Sequence, residues 1–128
     1  MKPNAQEIKI SGTGKANITI KGRTYASFLQ DVGVSYDNAG PRFDEFQGSG
    51  EDVPFKNHVI LKDVQLPISF GFLFRYSDNG GKTFQPAQRS QKKETYIGPA
   101  YEIYKISSED AIDNDNNDSV MYLSVDRI

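Results

Sequence analysis

Apolar and polar residues alternate along most of this chain, most clearly at Phe70, Phe72, Phe74 and Tyr76, where every second residue is a large aromatic. A period of two turns one face of an extended strand toward a core and the other toward water, whereas an amphipathic helix repeats near 3.6. The pattern is cut by Gly, Pro, Asn and Asp at short intervals, and helix signals are nearly absent. It predicts strands over 16–20, 24–34, 53–62, 68–76, 83–88, 95–106 and 119–125, all rich in Val, Ile, Tyr, Phe and Thr. Many short strands without crossover helices predict an all-β fold, a single antiparallel β-sandwich of jelly-roll or Greek-key type. With 128 residues the whole chain, 1–128, is expected to be one domain that buries roughly two thirds of its unfolded surface.

Two connections stand out from the strands. The stretch Asp37 to Gly50 is too long and polar for a tight hairpin. It reads equally as a ligand-facing loop or as a solvated link with Phe43 and Phe46 tucked beneath it. Ser77 to Phe84 resembles the Asp-box hairpin of propeller blades, with Asn79 in the Asp position. A single copy makes no propeller, so it reads as a turn in which Asn-Gly-Gly supplies positive φ.

Composition matters in one place. Fifteen Lys and Arg stand against seventeen Asp and Glu, and five of those carboxylates lie within Glu109 to Asp118. The other 118 residues are therefore net +3, fifteen minus twelve. The acidity is one local site, which argues against an acidic tail and against a nucleic-acid surface. Five carboxylates and the carboxamides Asn114, Asn116 and Asn117, flanked by apolar runs, are the donor set of a hard cation. Calcium accepts about six to eight such oxygens at irregular angles. Asp113, Asp115 and Asn117 match the opening of an EF-hand loop, but Asp118 stands where that loop needs Gly and Ser124 where it needs Glu. The segment is a calcium loop between strands.

Other chemistry is thin. The chain has no Cys, so disulfides and thiolate metal sites are excluded. His58 is the one imidazole and sits in an apolar context where a satisfied core or sheet-face role is expected. No nucleophile elbow or phosphate loop accompanies it, so an enzyme is not expected. Met1 to Glu7 carries no apolar signal core, and no stretch has the length of a membrane span, so a soluble, unprocessed chain without membrane insertion is expected.

The pattern Glu-Asp-x-x-Asp-Asn-Asp-x-Asn-Asp, followed by ten residues from Ser119 to Ile128, resembles the microbial calcium-mediated lectins that bind fucose and mannose. That resemblance implies that Glu109, Asp113, Asp115 and Asp118 hold one calcium, and that Asp115, Asn117 and Asp118 help hold a second. Asp110 would accept hydrogen bonds from the sugar. The carboxylate of Ile128 would reach a neighbouring subunit's site, where the family has Gly. Ser11-Gly12-Thr13 aligns with the family's sugar loop, with Lys9 and Ile10 in place of its Asn ligand and first Ser. A second resemblance, to the single-calcium galactose-binding bacterial lectin, rests on Ile18-Thr19-Ile20 and Tyr25-Ala26-Ser27-Phe28. It implies ligation of one ion by the Phe28 and Asn114 carbonyls and by Asp110, Asn117 and Asp118. Asp37 to Gln47 would be its sugar-selective loop, with Asp44, Glu45 and Gln47 facing hydroxyls.

Both resemblances imply a calcium-dependent lectin with one or two Ca2+ that coordinate sugar hydroxyls directly. They also imply a mono- or oligosaccharide ligand of fucose/mannose or galactose type and a homo-oligomer. An extracellular or cell-surface setting is expected through calcium alone, because cytosolic free calcium is too low for most sites of this kind. The alternative is an adhesin or interaction domain in which the calcium loop is purely structural.

Overall fold

Strands with one buried face must pair, and they do so throughout. The computed structural model describes residues 6–36, 43–86, 90–109 and 119–128. Its strands are β1 (Gln6–Ile10), β2 (Lys15–Thr24), β3 (Leu29–Tyr36), β4 (Phe43–Gly48), β5 (Val53–Pro54), β6 (Val59–Gln65), β7 (Ile68–Ser77), β8 (Gln85–Pro86), β9 (Ser90–Gly98), β10 (Tyr101–Glu109) and β11 (Ser119–Arg127). One sheet has the order β1-β7-β3-β4 with β8 beside β7, and the other β5-β2-β11-β10-β9 with β6 also on β2. Every pairing is antiparallel. The sheets form the all-β sandwich that the alternation predicts and do not close into a barrel.

The core lies between them. Phe70, Phe72 and Phe74 of β7 project inward beside Val32, Val34 and Phe46, and meet Ile18, Ile20, Ile106, Met121 and Leu123 of the other sheet. Each such buried side chain contributes about 1.5–3 kcal/mol through the area it removes from water.

The boundaries differ from the expected strands in instructive ways. Residues 24–34 are broken at 25–28, where the chain crosses from β2 to β3. Residues 95–106 are two strands, because Gly98-Pro99 turns the chain and the Tyr101 ring approaches to 2.5 Å of where a Gly98 Cβ would stand. Residues 53–62 split likewise, and His58 is exposed in the gap between β5 and β6, not in the core or on a sheet face as expected. Phe43–Gly48, expected as loop, is a strand paired with β3, since Phe46 is fully buried. β1 repeats the same alternation in only five residues, with Ile8 and Ile10 inward.

Strand directions define two ends of the sandwich. At one end β10 stops and β11 begins, together with the β2–β3, β4–β5 and β7–β8 connections. The other end holds the β1–β2, β6–β7 and β9–β10 connections and the terminus Ile128.

Candidate functional site

The acidic segment bridges the ends of two paired strands. Ser108 faces Ser119 across β10 and β11, and residues 110–118 join Glu109 to Ser119. Asp110, Asp113, Asn114, Asp115, Asn117 and Asp118 lie outside the described residues, as does the Glu109 side chain.

The residues that support this end of the sandwich are unusual. The buried polar side chains among the described residues are Thr24, Gln30, Asp31, Ser77, Ser107, Ser108 and Ser119, and each lies among the first or last three residues of its strand at this same end. Thr24, Gln30, Ser108 and Ser119 share the inward register of their strands, and the core cluster they border is apolar. A buried hydroxyl or amide costs about 1–3 kcal/mol when unbonded, so such groups stay where bonds hold them. The Ser119 hydroxyl donates to Gln30 Oε1 at 2.8 Å, tying the second sheet to the first, and Gln30 Nε2 donates to the Phe28 carbonyl at 3.3 Å. The Ala26 amide donates to Thr24 Oγ1 at 3.3 Å, and the Gly50 amide to the Ala26 carbonyl at 2.7 Å. The 25–28 turn is thereby fixed to the strand that leaves the acidic segment. Ser108 Oγ, fully buried one residue before Glu109, has no hydrogen-bond partner among the described residues.

Beside this collar opens a cleft of about 350 Å³, lined by Ser27, Phe28, Leu29, Ser49, Ser77, Asp78 and Gly80. Phe28 is 39% exposed and stacks on Tyr76 with centroids 5.9 Å apart. The 77–84 hairpin forms the far wall and is a structural turn, as read from its sequence. Asn79 Oδ1 accepts from the Thr83 amide at 3.0 Å, Ser77 Oγ accepts from the Gly81 amide at 2.9 Å, and Gly80 and Gly81 take φ of 75° and 93°. An exposed aromatic face beside hydroxyls and a carboxylate suits a sugar ring, whose C–H face stacks while its hydroxyls hydrogen-bond.

Other residues picked out from sequence lie elsewhere. Ser11 and Gly12 occupy the β1–β2 turn, at the end of the sandwich opposite the strand ends Glu109 and Ser119, and Arg127 Nη1 donates to the Ser11 carbonyl at 2.9 Å. Lys9 and Ile10 are in β1, with Ile10 fully buried. Ile128 is also at that end, 72% exposed, with its amide on the Lys15 carbonyl. Asp44 accepts a hydrogen bond from the Tyr36 hydroxyl at the sandwich edge. Gln47 donates to Asp31 Oδ1 at 3.0 Å and to Glu45 at 3.4 Å. Asp31 is 1% exposed and accepts two bonds from Arg75, at 2.7 and 3.0 Å, while the Arg75 guanidinium lies over Phe84. The hydrogen bond with Asp31 pushes the Glu45 carboxyl above its ordinary range, with burial adding to it. Glu45 and Gln47 thus serve a polar network on the outer face of β3, β4 and β7.

Sequence reasoning missed Gln30, Ser108 and Ser119. Their signal was present: each is polar at a position whose period-two register points inward.

The fucose-binding lectin II (PA-IIL) family model matches residues 6–127. No curated protein matches the chain in sequence. Among solved structures, the chain is similar to the Chromobacterium violaceum lectin CV2L in complex with alpha-methyl-fucoside, with TM-score 0.67 and 17% identity over 93% of this chain and 96% of that one. It is also similar to the Ralstonia solanacearum high-affinity mannose-binding lectin, with TM-score 0.63 and 21% identity over 97% and 96%. The C-terminal domain of the BC2L-C lectin from Burkholderia cenocepacia gives TM-score 0.60 and 19% identity over 91% and 97%. These likenesses describe the fold, and the family match spans both the collar and the acidic segment: the chain belongs to the fucose-binding lectin II (PA-IIL) family of calcium-dependent carbohydrate-binding proteins, which are not enzymes.

Proposed function

We propose that Glu109 to Asp118 holds one or two Ca2+, and that the bound metal takes two vicinal hydroxyls of a fucose- or mannose-type sugar. The observation that supports this reading is the collar of buried polar residues beneath the segment, fixed across both sheets at the end where the segment is anchored. The donor chemistry fits calcium: Glu109, Asp113, Asp115, Asn117 and Asp118 offer hard oxygens, and Asp110 is placed in sequence to accept sugar hydroxyl protons. Calcium, when bound, supplies irregular coordination sites that hydroxyls can fill in place of water.

The protein's own residues would orient the sugar. Topology favours the 25–28 turn over Ser11 and Gly12 for this role, because that turn is hydrogen-bonded to the acidic end, with Ser27 exposed in the cleft and Phe28 offering a ring face. Ile128 lies at the other end of β11, whose nine residues span about 27–30 Å. Its carboxylate, together with the Ser11–Gly12 turn, would therefore serve the site of another copy. Such a homo-oligomer would raise weak single-site affinity through multivalency, outside the cell or at its surface, where free calcium is high.

The test is calorimetric titration of chelator-treated protein with calcium, followed by methyl fucoside, methyl mannoside and galactose. Chelator-reversible binding of the first two, abolished in Asp113→Asn and Asp115→Asn, is expected. Calcium binding with no response to any sugar would leave the metal structural and overturn the proposal.

A further inference from the structure

We propose that the outer face of the second sheet carries a separate, calcium-independent site for a carboxylated or sulfated sugar residue, in the cleft between Lys21, Tyr122 and the 54–58 segment. The outer face of a sandwich is normally a convex, solvated surface. Here the chain leaving β5 rises along the edge of β2 and walls it. The wall is fixed at three points. Pro54 pairs with Arg23, the Phe55 amide donates to the Gly22 carbonyl at 3.0 Å, and Asn57 Nδ2 donates to the Glu45 carbonyl at 2.9 Å. The Phe55 ring is buried against Phe46. The resulting cleft is about 560 Å³, within the size range of small-ligand sites.

Its lining is apolar with a cationic side. Ile103, Tyr122 and Pro54 provide the apolar surface; Lys21 and Arg23 stand on the β2 side and are its cations, with His58 in the wall beside them; among the described residues no carboxylate lines it. Arg23 is held by Asp52 through Nε at 2.8 Å and Nη2 at 3.1 Å, which sets its guanidinium and cancels most of its charge. The neighbouring cation Lys105 is paired with Glu94 at 3.8 Å. Among the described residues no carboxylate pairs with Lys21. Among the described residues Lys21 is thus an ammonium without a carboxylate partner, directly across the strands from Tyr122.

That combination selects the ligand. A sugar ring lays its C–H face on Tyr122. A carboxylate or sulfate on the ring takes charge-assisted bonds from Lys21. The Asn57 carbonyl oxygen and the Ser124 hydroxyl meet ring hydroxyls. A nucleic acid would need many phosphate contacts, and the cations here are too few. Tyr122 lies three residues along β11 from Ser119, about 10 Å, and points to the outer face while Ser119 points inward. None of the residues that line this cleft belongs to the acidic segment.

The test titrates chelator-treated and calcium-loaded protein with methyl glucuronide, a sulfated N-acetylglucosamine, neutral methyl glucoside and inorganic sulfate, followed by amide chemical shifts. The charged sugars should move Lys21, Tyr122 and Ser124 signals equally with and without calcium and bind at least tenfold tighter than the neutral sugar. Lys21→Gln and Tyr122→Ser should each weaken them at least fivefold and leave calcium-dependent binding of neutral sugars intact. No shift at these residues, no effect of Lys21→Gln, or sulfate binding as well as the sugars and insensitive to Tyr122→Ser, an inorganic-anion site only, would each overturn the proposal.

Discussion

Gln30 offers the sharpest test of how the fold supports the acidic end. Its amide is fully buried, accepts from Ser119 Oγ at 2.8 Å and donates to the Phe28 carbonyl at 3.3 Å, so one side chain ties β11, β3 and the 25–28 turn together. Gln30→Leu keeps the volume but removes these two bonds. Two groups left unbonded at about 2 kcal/mol each cost about 4 kcal/mol, and the new apolar surface returns about 1–2 kcal/mol, leaving a net loss of about 2–3 kcal/mol. With an unfolding entropy of about 2.1 cal/mol/K per residue, 2.5 kcal/mol lowers Tm by about 9 °C in a chain of this length. Ser119→Ala removes one bond and should cost about 1 kcal/mol. Because the two residues share that bond, the double variant should fall short of additivity by about 1 kcal/mol. Urea unfolding of chelator-treated protein measures all three. Calcium-dependent sugar affinity should drop about tenfold in Gln30→Leu, since the turn loses its link to the acidic segment. A loss below 0.5 kcal/mol, an additive cycle, or unchanged sugar affinity in Gln30→Leu would refute the reasoning.

Three further outcomes follow from the described geometry. Glu45 has its pKa raised by hydrogen bonding to Asp31, so the folded state favours its protonated form and its charge works against folding at neutral pH. Glu45→Gln should therefore stabilise slightly at pH 7, by under about 1 kcal/mol because the group is partly exposed, with the gain disappearing as pH falls below the ordinary glutamate range; a pH series of urea midpoints reads this. Glu102 has its pKa lowered, chiefly by the Arg127 hydrogen bond, so its contribution is present above the ordinary glutamate range and is lost as pH falls through the lowered folded pKa. Glu102→Gln should cost about 1 kcal/mol at pH 7, with a difference from wild type that shrinks in acid; a gap that stays constant with pH would count against the pair. Gly22→Ala would press a Cβ onto the Met121 sulfur and to 2.7 Å of the Val120 carbonyl oxygen, and should cost about 2–3 kcal/mol by thermal unfolding, because the backbone oxygen cannot rotate away.

Period two was legible wherever large apolar side chains dominate one face, as along β7, where Phe70, Phe72 and Phe74 alternate with Gly71, Leu73 and Arg75. It failed where a strand ends without changing composition. Thr24 to Val34 reads as one strand because Tyr25 and Phe28 have high strand propensity, yet Phe28 leaves the sheet to stack on Tyr76. Local sequence matching aligns Ser11–Gly12 with the family's sugar loop, but it cannot say which end of an antiparallel strand a turn occupies. Direction is set by pairing: Ser119 opposes Thr24, and Arg127 opposes Ala16, so the turn that follows β2 joins the acidic end and the turn that precedes it joins the terminus. The proposed donor set stands out in the sequence because ligand chemistry concentrates oxygens in one segment. Its support was not read, because Gln30, Ser108 and Ser119 are separated by up to 89 residues and have meaning only together. An inward-facing polar residue within a period-two strand costs stability unless something distant bonds it. A bonded position of this kind, as at Gln30 and Ser119, is therefore a long-range contact written in one residue, and in this chain it lies at the end that anchors the acidic segment.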